Sequence, residues 1–466
     1  MQIRFHGAAR TVTGSMHILT VGGKTVVLDC GIFHGKRDEA RERNRSFPFD
    51  PAEIAAVVLS HAHIDHSGNL PGLVKQGFHG PIYCTKATAD LCAVMLKDSA
   101  HIQEKDAEYV NKKHAKKHLP PVEPLYTQAD AHNTVPLLIG MDYSATFPVV
   151  DGIEARFEDA GHILGSASIA LTLREGSRTV TLAFTGDLGR PNLPILRDPV
   201  FLGDADYLIS ESTYGGRIHA PVSAMEEQLL DPLRRGIERK AKMIIPAFSV
   251  GRTQELVYVL HKLSLAGKID HLPVFVDSPL SVNVTEVFRN HPECFDSETW
   301  EILNADHDND PFGFERLQYI RDVEQSKALN DRPGPFIVIS SQGMCEAGRV
   351  LHHLANGIGD PRNMVLIVGY QAEHTLGKKL VMREPVVNIF GEPHEVKAEV
   401  VVLNAFSGHA DRNELLAYLQ QFDKRRLRSS FLVHGDLDQA EKLTAGMKEA
   451  GFGRVVIPTR GDRVEL

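Results

Sequence analysis

The sequence predicts an α/β chain in which one α/β domain holds a second inside it, and three observations carry that prediction. In the first third, apolar β-branched runs end on polar residues: "TVVLDC" reaches Asp29, "AAVVLS" runs into His61 and "TVTLAFTGD" ends on Asp187. Such runs mark buried strands that deliver a functional group at their C-terminal ends. From about residue 212 the pattern becomes a strand–helix alternation, and after about residue 395 the first style returns. The expected segments are therefore 1–210, 211–395 and 396–466.

Residues 86–117 read as a helix with Leu91, Met95 and Leu96 as apolar markers. Its late stretch "NKKHAKKH" is best explained as a solvated helix face. In the middle segment, "SAMEEQLLDPLRRGIERK" sets Met225, Leu229, Leu233 and Ile237 four apart, the spacing of an amphipathic helix. "KMIIPAF" follows as a strand, then a helix at "TQELVYVLHKL" and strands at "LPVFVDS", "PFIVISS" and "NMVLIVGY". This order predicts a mostly parallel, helix-covered sheet with ligands near its C-terminal strand ends. Residues 291–333, rich in Asp, Asn and Pro, read as a surface loop. The last segment predicts a strand at "EVVVLNAFS", a helix after "HADRNE", a strand at "SSFLVHG", a further helix and a terminal strand near "RVVIP".

The totals bound the function classes. With 42% hydrophobic and 24% charged residues in 466, disordered and collagen-like classes drop out. Lys and Arg number 51 against 60 Asp and Glu, a formal charge of −9, so nucleic-acid contact would rest on local basic patches. Five scattered cysteines without a CxxC pair point to a reducing compartment and away from disulfides or a cysteine zinc knuckle. "MQIRFHGAARTVTGS" has no apolar signal region, and no apolar run approaches the roughly 18 residues of a membrane span. The expected location is cytoplasmic, without a membrane partner.

The sharpest local signal is "SHAHIDHSGNL", which places His61, His63, Asp65 and His66 within six positions. Imidazole and carboxylate are ordinary zinc ligands. A loop leaving a strand can aim His61 and His63 the same way, whereas the adjacent Asp65 and His66 suit a second ion. A hydrolytic centre needs further ligands, and the candidates are His162 in "DAGHILGSAS", Asp187 in "FTGDLG" and His434 in "LVHGDLD". Taken singly, such a histidine is ordinarily a loop hydrogen-bonder and such an aspartate a turn cap. An aspartate can also bridge two cations with its two oxygens.

Taken in order, Asp29, "SHAHIDHSG", His162 and Asp187 resemble the metallo-β-lactamase superfamily, a four-layer αββα hydrolase fold. "GAARTVTGS", "PAFSVGRTQEL", "GMCEAGRVLHHL", "GYQAEHTLG", "FSGHAD" and "LVHGD" extend the resemblance over almost the whole chain. They are similar to the β-CASP nucleases, specifically the bacterial and archaeal relatives of the pre-mRNA 3′-end cleavage endonuclease. The resemblance implies one zinc on His61, His63 and His162, and another on Asp65, His66 and His434. Asp187 and a hydroxide would lie between them, and manganese would also suit these ligands. It further implies that Asp29 orients a ligand histidine, that Glu211 is the subgroup's acidic motif and that His409 is its histidine motif. A histidine at the last motif, His434, goes with RNA rather than DNA in this subgroup. His374 stands where relatives typically carry glycine.

The chemistry implied is hydrolysis of single-stranded RNA by a hydroxide activated between two metals, leaving 5′-phosphate and 3′-hydroxyl ends. His409, steered by Glu211, would protonate the departing 3′-oxygen. Without the family order, Glu211 reads as a turn partner ahead of "STYGG". The expected activity is that of an endonuclease, with 5′-exonuclease action left open, and the relatives suggest a homodimer. For grip on phosphates, "FSVGRTQEL" and "SSQGMCEAGRV" each lead from a strand through glycine to a helix start, nominating Arg252, Ser340, Ser341 and Arg349. The competing readings are a thioesterase or lactonase of the same superfamily, a DNA nuclease, and an RNA-binding scaffold without catalysis. A scaffold should show broken ligands, and a thioesterase would not need the inserted domain.

Overall fold

The computed structural model describes residues 1–466 apart from Lys36, Asp270, residues 305–309, Tyr370 and Glu373, and apart from the side chains of Arg37 and Asp38. The chain forms two compact units. One comprises Met1–Pro191, Asp198–Ile218 and His409–Leu466; the other comprises Asn192–Arg197 and His219–Gly408.

Among the described residues the first unit holds two seven-stranded sheets. The first runs in space Arg463–Glu465, Gln2–Phe5, His17–Val21, Lys24–Leu28, Ile54–Val58, Ile82–Thr85, Leu138–Met141. The second runs Val455–Val456, Ser429–Val433, Tyr207–Glu211, Arg178–Phe184, Ala167–Glu175, Ile153–Asp159, Thr146–Val150. Alternate residues of Thr146–Val150 and Ile153–Asp159 are buried, so Phe147, Val149, Ala155 and Phe157 meet Leu19, Val26 and Val58 of the first sheet in one core. Helices cover the outer faces. Lys86–Ala115 packs on Ile82–Thr85 and Leu138–Met141, while Arg412–Leu419 and Leu437–Glu449 set Leu415, Leu419, Leu443 and Met447 against Leu208 and Leu432. The result is the helix–sheet–sheet–helix layering that the motif order implied.

Parallel pairing decides where the polar ends go. Lys24–Leu28 runs parallel to Ile54–Val58, and Arg178–Phe184, Tyr207–Glu211 and Ser429–Val433 are parallel neighbours. Residues just past adjacent parallel strands emerge at one edge of a sheet. Asp29 and His61 therefore leave the first sheet together, and Asp187, Glu211 and His434 the second.

Among the described residues the second unit carries a six-stranded, all-parallel sheet ordered Leu317–Ile320, Val274–Asp277, Phe336–Ser340, Lys242–Pro246, Met364–Ile367, Glu399–Val402. Its inner strands are buried at every position, as a helix-covered parallel sheet requires.

Three expectations are corrected. Residues 291–333 are not simply a loop: they contain the helix Ser297–Leu303, the strand Leu317–Ile320 and the helix Val323–Asp331. The aspartates that made the stretch look irregular, Asp296 and Asp322, accept hydrogen bonds from the first-turn N–H groups of those helices. The strand Glu399–Val402 pairs with Met364–Ile367, so the return to the first unit falls at His409 rather than at 396. In the helix Met225–Glu238, Ile237 is half exposed, and Leu230 is buried beside the expected Leu229 and Leu233. A further strand, Arg463–Glu465, pairs with Gln2–Phe5 and was not foreseen. The five cysteines are free and buried, and no described helix is long and apolar enough to cross a membrane.

Candidate metal centre

His61 and His63 leave the strand Ile54–Val58, and Asp65 and His66 sit in the following short helix Ile64–Ser67. His162 sits between the antiparallel strands Ile153–Asp159 and Ala167–Glu175, where its N–H donates to Ser166 Oγ at 3.0 Å. Asp187 follows Gly186, whose φ of +54° favours glycine, and a Cβ there would lie 2.9 Å from Ser60 Cβ. His434 follows Ser429–Val433, and its N–H donates to Ala8 O at 2.7 Å.

These segments bring two donor groups together. In one, His63 Nδ1 lies 3.1 Å from His61 Nε2 and 3.2 Å from His162 Nε2. Asp187 Oδ2 lies 3.5 Å and 3.7 Å from the Nε2 atoms of His61 and His162. In the other, His434 Nε2 lies 3.1 Å from His66 Nε2 and 3.3 Å from Asp65 Oδ2, and His66 Nε2 lies 3.4 Å from Asp187 Oδ2. A tetrahedral zinc with bonds of about 2.0–2.1 Å sets its ligand atoms about 3.3 Å apart. The donor set fits that spacing. Asp187 Oδ1 is also buried without a hydrogen bond, though His434 Nδ1 stands 3.2 Å away. Such an orphaned carboxylate oxygen is what a cation would satisfy.

Burial pushes the His61 imidazole well below its ordinary range and His63 down to about 4, which keeps both neutral and ligand-competent. Burial opposes the charge on Asp187 too, yet His434, His66 and His61 hold its carboxyl well below the usual range. His66 behaves differently: against a desolvation penalty, the charges of Asp187 and Asp29 hold it well above its ordinary value.

Asp29 is fully buried. Its Oδ1 accepts Ser60 N–H at 2.8 Å, and its Oδ2 accepts Ser15 Oγ at 3.1 Å, Ser60 Oγ at 3.0 Å and His66 Nδ1 at 2.7 Å. This fixes the His66 tautomer with Nε2 turned to the donor group. Glu211 Oε1 accepts Leu188 N–H at 2.6 Å, and Leu188 O accepts Ala410 N–H at 2.8 Å. One backbone residue thus sets His409 beside Glu211, with His409 Nδ1 3.4 Å from both carboxylate oxygens. Burial works against charge on His409, but Glu211, Asp187 and Asp65 raise it to about 9. Ser15, Ser60, Thr213 and the Leu188 N–H were absent from the sequence reading. Thr213 Oγ1 stands 3.1 Å from His434 Nδ1, and its only signal was its place two residues after Glu211.

The four residues nominated for phosphate contact lie in the other unit and turn inward. Arg252 is buried and paired with Glu255. Arg349 Nη1 bonds Asp277 Oδ1 at 2.6 Å and its Nη2 bonds Arg321 O at 2.6 Å. Ser340 Oγ donates to Asp277 O, and Ser341 Oγ meets Ser278 Oγ at 2.8 Å. The glycines before the two helices do carry positive φ, 75° at Gly251 and 81° at Gly348. His374 is exposed with φ 70°, in the left-handed region that favours glycine.

A sandwich of two sheets with clustered histidines and aspartates at its strand ends defines a metal-dependent hydrolase. The family model of the metallo-beta-lactamase superfamily matches residues 10–247, the Beta-Casp domain residues 253–380, and the Zn-dependent metallo-hydrolase RNA specificity domain residues 393–458. The chain belongs to the metallo-β-lactamase superfamily, in its β-CASP ribonuclease subgroup. It is 37% identical to Ribonuclease TTHA0252 of Thermus thermophilus, over 100% of this chain and 98% of that protein. It is 31% identical to the transcription termination factor FttA of Methanocaldococcus jannaschii, over 94% of this chain and 67% of that one. A crystal structure of a protein of unknown function from Enterococcus faecalis shares the fold, with a TM-score of 0.54, 15% identity and coverage of 100% and 99%.

Proposed function

We propose that this chain is a zinc-dependent ribonuclease that hydrolyses phosphodiester bonds of single-stranded RNA and leaves 5′-phosphate and 3′-hydroxyl ends. The observation that carries the reading is the pair of donor groups near Asp187, whose Oδ2 lies 3.5 Å from His61 Nε2 and 3.4 Å from His66 Nε2, with the Glu211–His409 pair beside them. His61, His63 and His162 would hold one divalent ion and Asp65, His66 and His434 another, with Asp187 common to both. When bound, two such ions would polarise the phosphodiester and lower the pKa of a water.

The chain's own residues supply the rest. Asp29 holds His66 in one tautomer through the 2.7 Å bond to Nδ1. Glu211 orients His409 through Nδ1 and stabilises its protonated ring. His409 then gives its proton to the 3′-oxygen as the P–O bond breaks. The Thermus relative's name supports RNA as the polymer, and so does His434 at the final motif.

The test is cleavage of 5′-labelled single-stranded RNA and matched DNA by wild type, His63→Ala and His409→Ala, with zinc content measured in all three. RNA cutting lost in both variants, with zinc retained in His409→Ala, is the expected result. Zinc-loaded wild type that cuts neither polymer overturns the proposal and turns the search to thioesters and lactones.

A further inference from the structure

The chain is acidic overall, yet one pocket of the first unit gathers cations. His6, Phe33, Arg43, Asn69 and Arg460 line it together with residues of the loop Gly7–Gly14, and the charge of Arg4 acts on His6. Among the described residues, the acidic groups beside these arginines are Glu39 and Glu42. Arg43 is paired with the exposed Glu39 at 2.6 Å, and Glu42 is exposed nearby. Arg43 also lies over the Phe33 ring, 4.1 Å from its centroid, which fixes the guanidinium at the pocket wall. On the adjoining strands Arg4 stands directly opposite Arg463, a like-charge pair that costs stability.

Among the described residues, two donors of this region have no acceptor. His6 Nε2 faces Arg460 Nη2 at 3.3 Å, and burial with the nearby arginines pushes the ring down to about 4, so His6 is neutral. Its proton therefore sits on Nδ1, which is buried without a partner. Arg4 Nε is likewise buried and unpartnered. Repelling guanidiniums and unsatisfied N–H groups all ask for one species, a compact anion with several acceptor oxygens.

The pocket wall is also the wall of the metal centre. Ala8 O accepts the N–H of His434, Ser15 N–H donates to Asp65 O, and Ser15 Oγ bonds Asp29. We propose that this pocket is a phosphate subsite that holds the RNA backbone beside the scissile position, with Arg43 and Arg460 pairing the phosphate and His6 Nδ1–H donating to it. The inference rests on the ribonuclease reading and supplies the local basic patch that a chain of charge −9 needs to hold RNA.

The experiment measures RNA affinity, its salt dependence, and cleavage kinetics for wild type, Arg43→Ala/Arg460→Ala and Arg43→Lys/Arg460→Lys. A small chromogenic phosphodiester, too short to reach the pocket, is hydrolysed in parallel. The double alanine variant should bind RNA about tenfold more weakly, with the slope of log affinity against log salt reduced by about 1–2. Its rate on the short diester should stay within about twofold of wild type, and the lysine variant should recover most of the slope. Inorganic phosphate should compete with RNA in wild type and less in the alanine variant. If it competes equally in both, a phosphate subsite here is excluded. Unchanged RNA affinity and slope overturn the proposal while leaving the ribonuclease reading intact. Wild type that hydrolyses the short diester but neither binds nor cuts RNA overturns both. Loss of the short-diester rate in the alanine variant, with an altered melting temperature, assigns the arginines a structural role and also overturns it.

Discussion

Asp29 shows how one buried carboxylate tunes a site it does not have to enter. It sits at φ 58°, a left-handed conformation that a short polar side chain tolerates better than most. There it collects four hydrogen bonds, from Ser60 N–H, Ser60 Oγ, Ser15 Oγ and His66 Nδ1. Asp29→Asn keeps the shape and the tolerance of positive φ but weakens the acceptor that polarises His66. Zinc affinity, measured by competition with a chromogenic chelator, is expected to fall about 10–100-fold. Equal affinity in the two proteins would remove Asp29 from the site. The aspartate was legible in sequence because it ends an apolar run and takes its place in the family order. Its partners Ser15 and Ser60 were not, since a lone hydroxyl carries no pattern until the strands Lys24–Leu28 and Ile54–Val58 lie side by side.

At the scale of elements, legibility followed hydrophobic runs and failed where capping residues imitated loop composition. The strands at Lys242–Pro246, Val274–Asp277, Phe336–Ser340 and Met364–Ile367 are uninterrupted apolar runs, and sequence placed all four. The helix Val323–Asp331 lacks a wide apolar stripe, for only Ser326 and Leu329 are buried. Its start rests on Asp322, which accepts from the N–H groups of Glu324 and Gln325 at 2.9 Å each. Asp322→Ala should lower the stability of the inserted unit by about 1 kcal/mol, and Asp322→Ser should recover much of it. Urea melts followed by far-ultraviolet circular dichroism decide this, and a loss below a few tenths of a kcal/mol would mean that tertiary packing alone sets the helix start. The inward turn of Arg252 and Arg349 has the same lesson in reverse. A glycine-to-arginine helix start looks like an anion site in sequence, but Glu255 and Asp277, close by in the fold, satisfy the guanidiniums first.

Across the whole molecule, the donor groups tie together chain segments that lie on both sides of the inserted unit. His61 to His66, His162 and Asp187 come before it, and His434 comes after it. Without a cation, the two groups hold buried imidazoles a little over 3 Å from one another and an Asp187 oxygen with no hydrogen bond, all of which favours local opening. A cation that binds only the folded arrangement adds stability as RT ln(1 + [L]/Kd), about 2.7 kcal/mol at a free concentration one hundred times Kd. Zinc added to chelator-treated protein should therefore raise its melting temperature. It should also slow amide exchange at residues 60–66, 160–163, 186–188 and 433–435. The parallel sheet of the inserted unit contains none of the seven proposed ligands, so Lys242–Pro246 and Phe336–Ser340 should exchange at unchanged rates. Equal slowing in both sheets would mean that the metal stabilises the chain as one cooperative body. No slowing at the strand ends, with zinc bound by mass, would place the ion on other residues and dissolve the site described above.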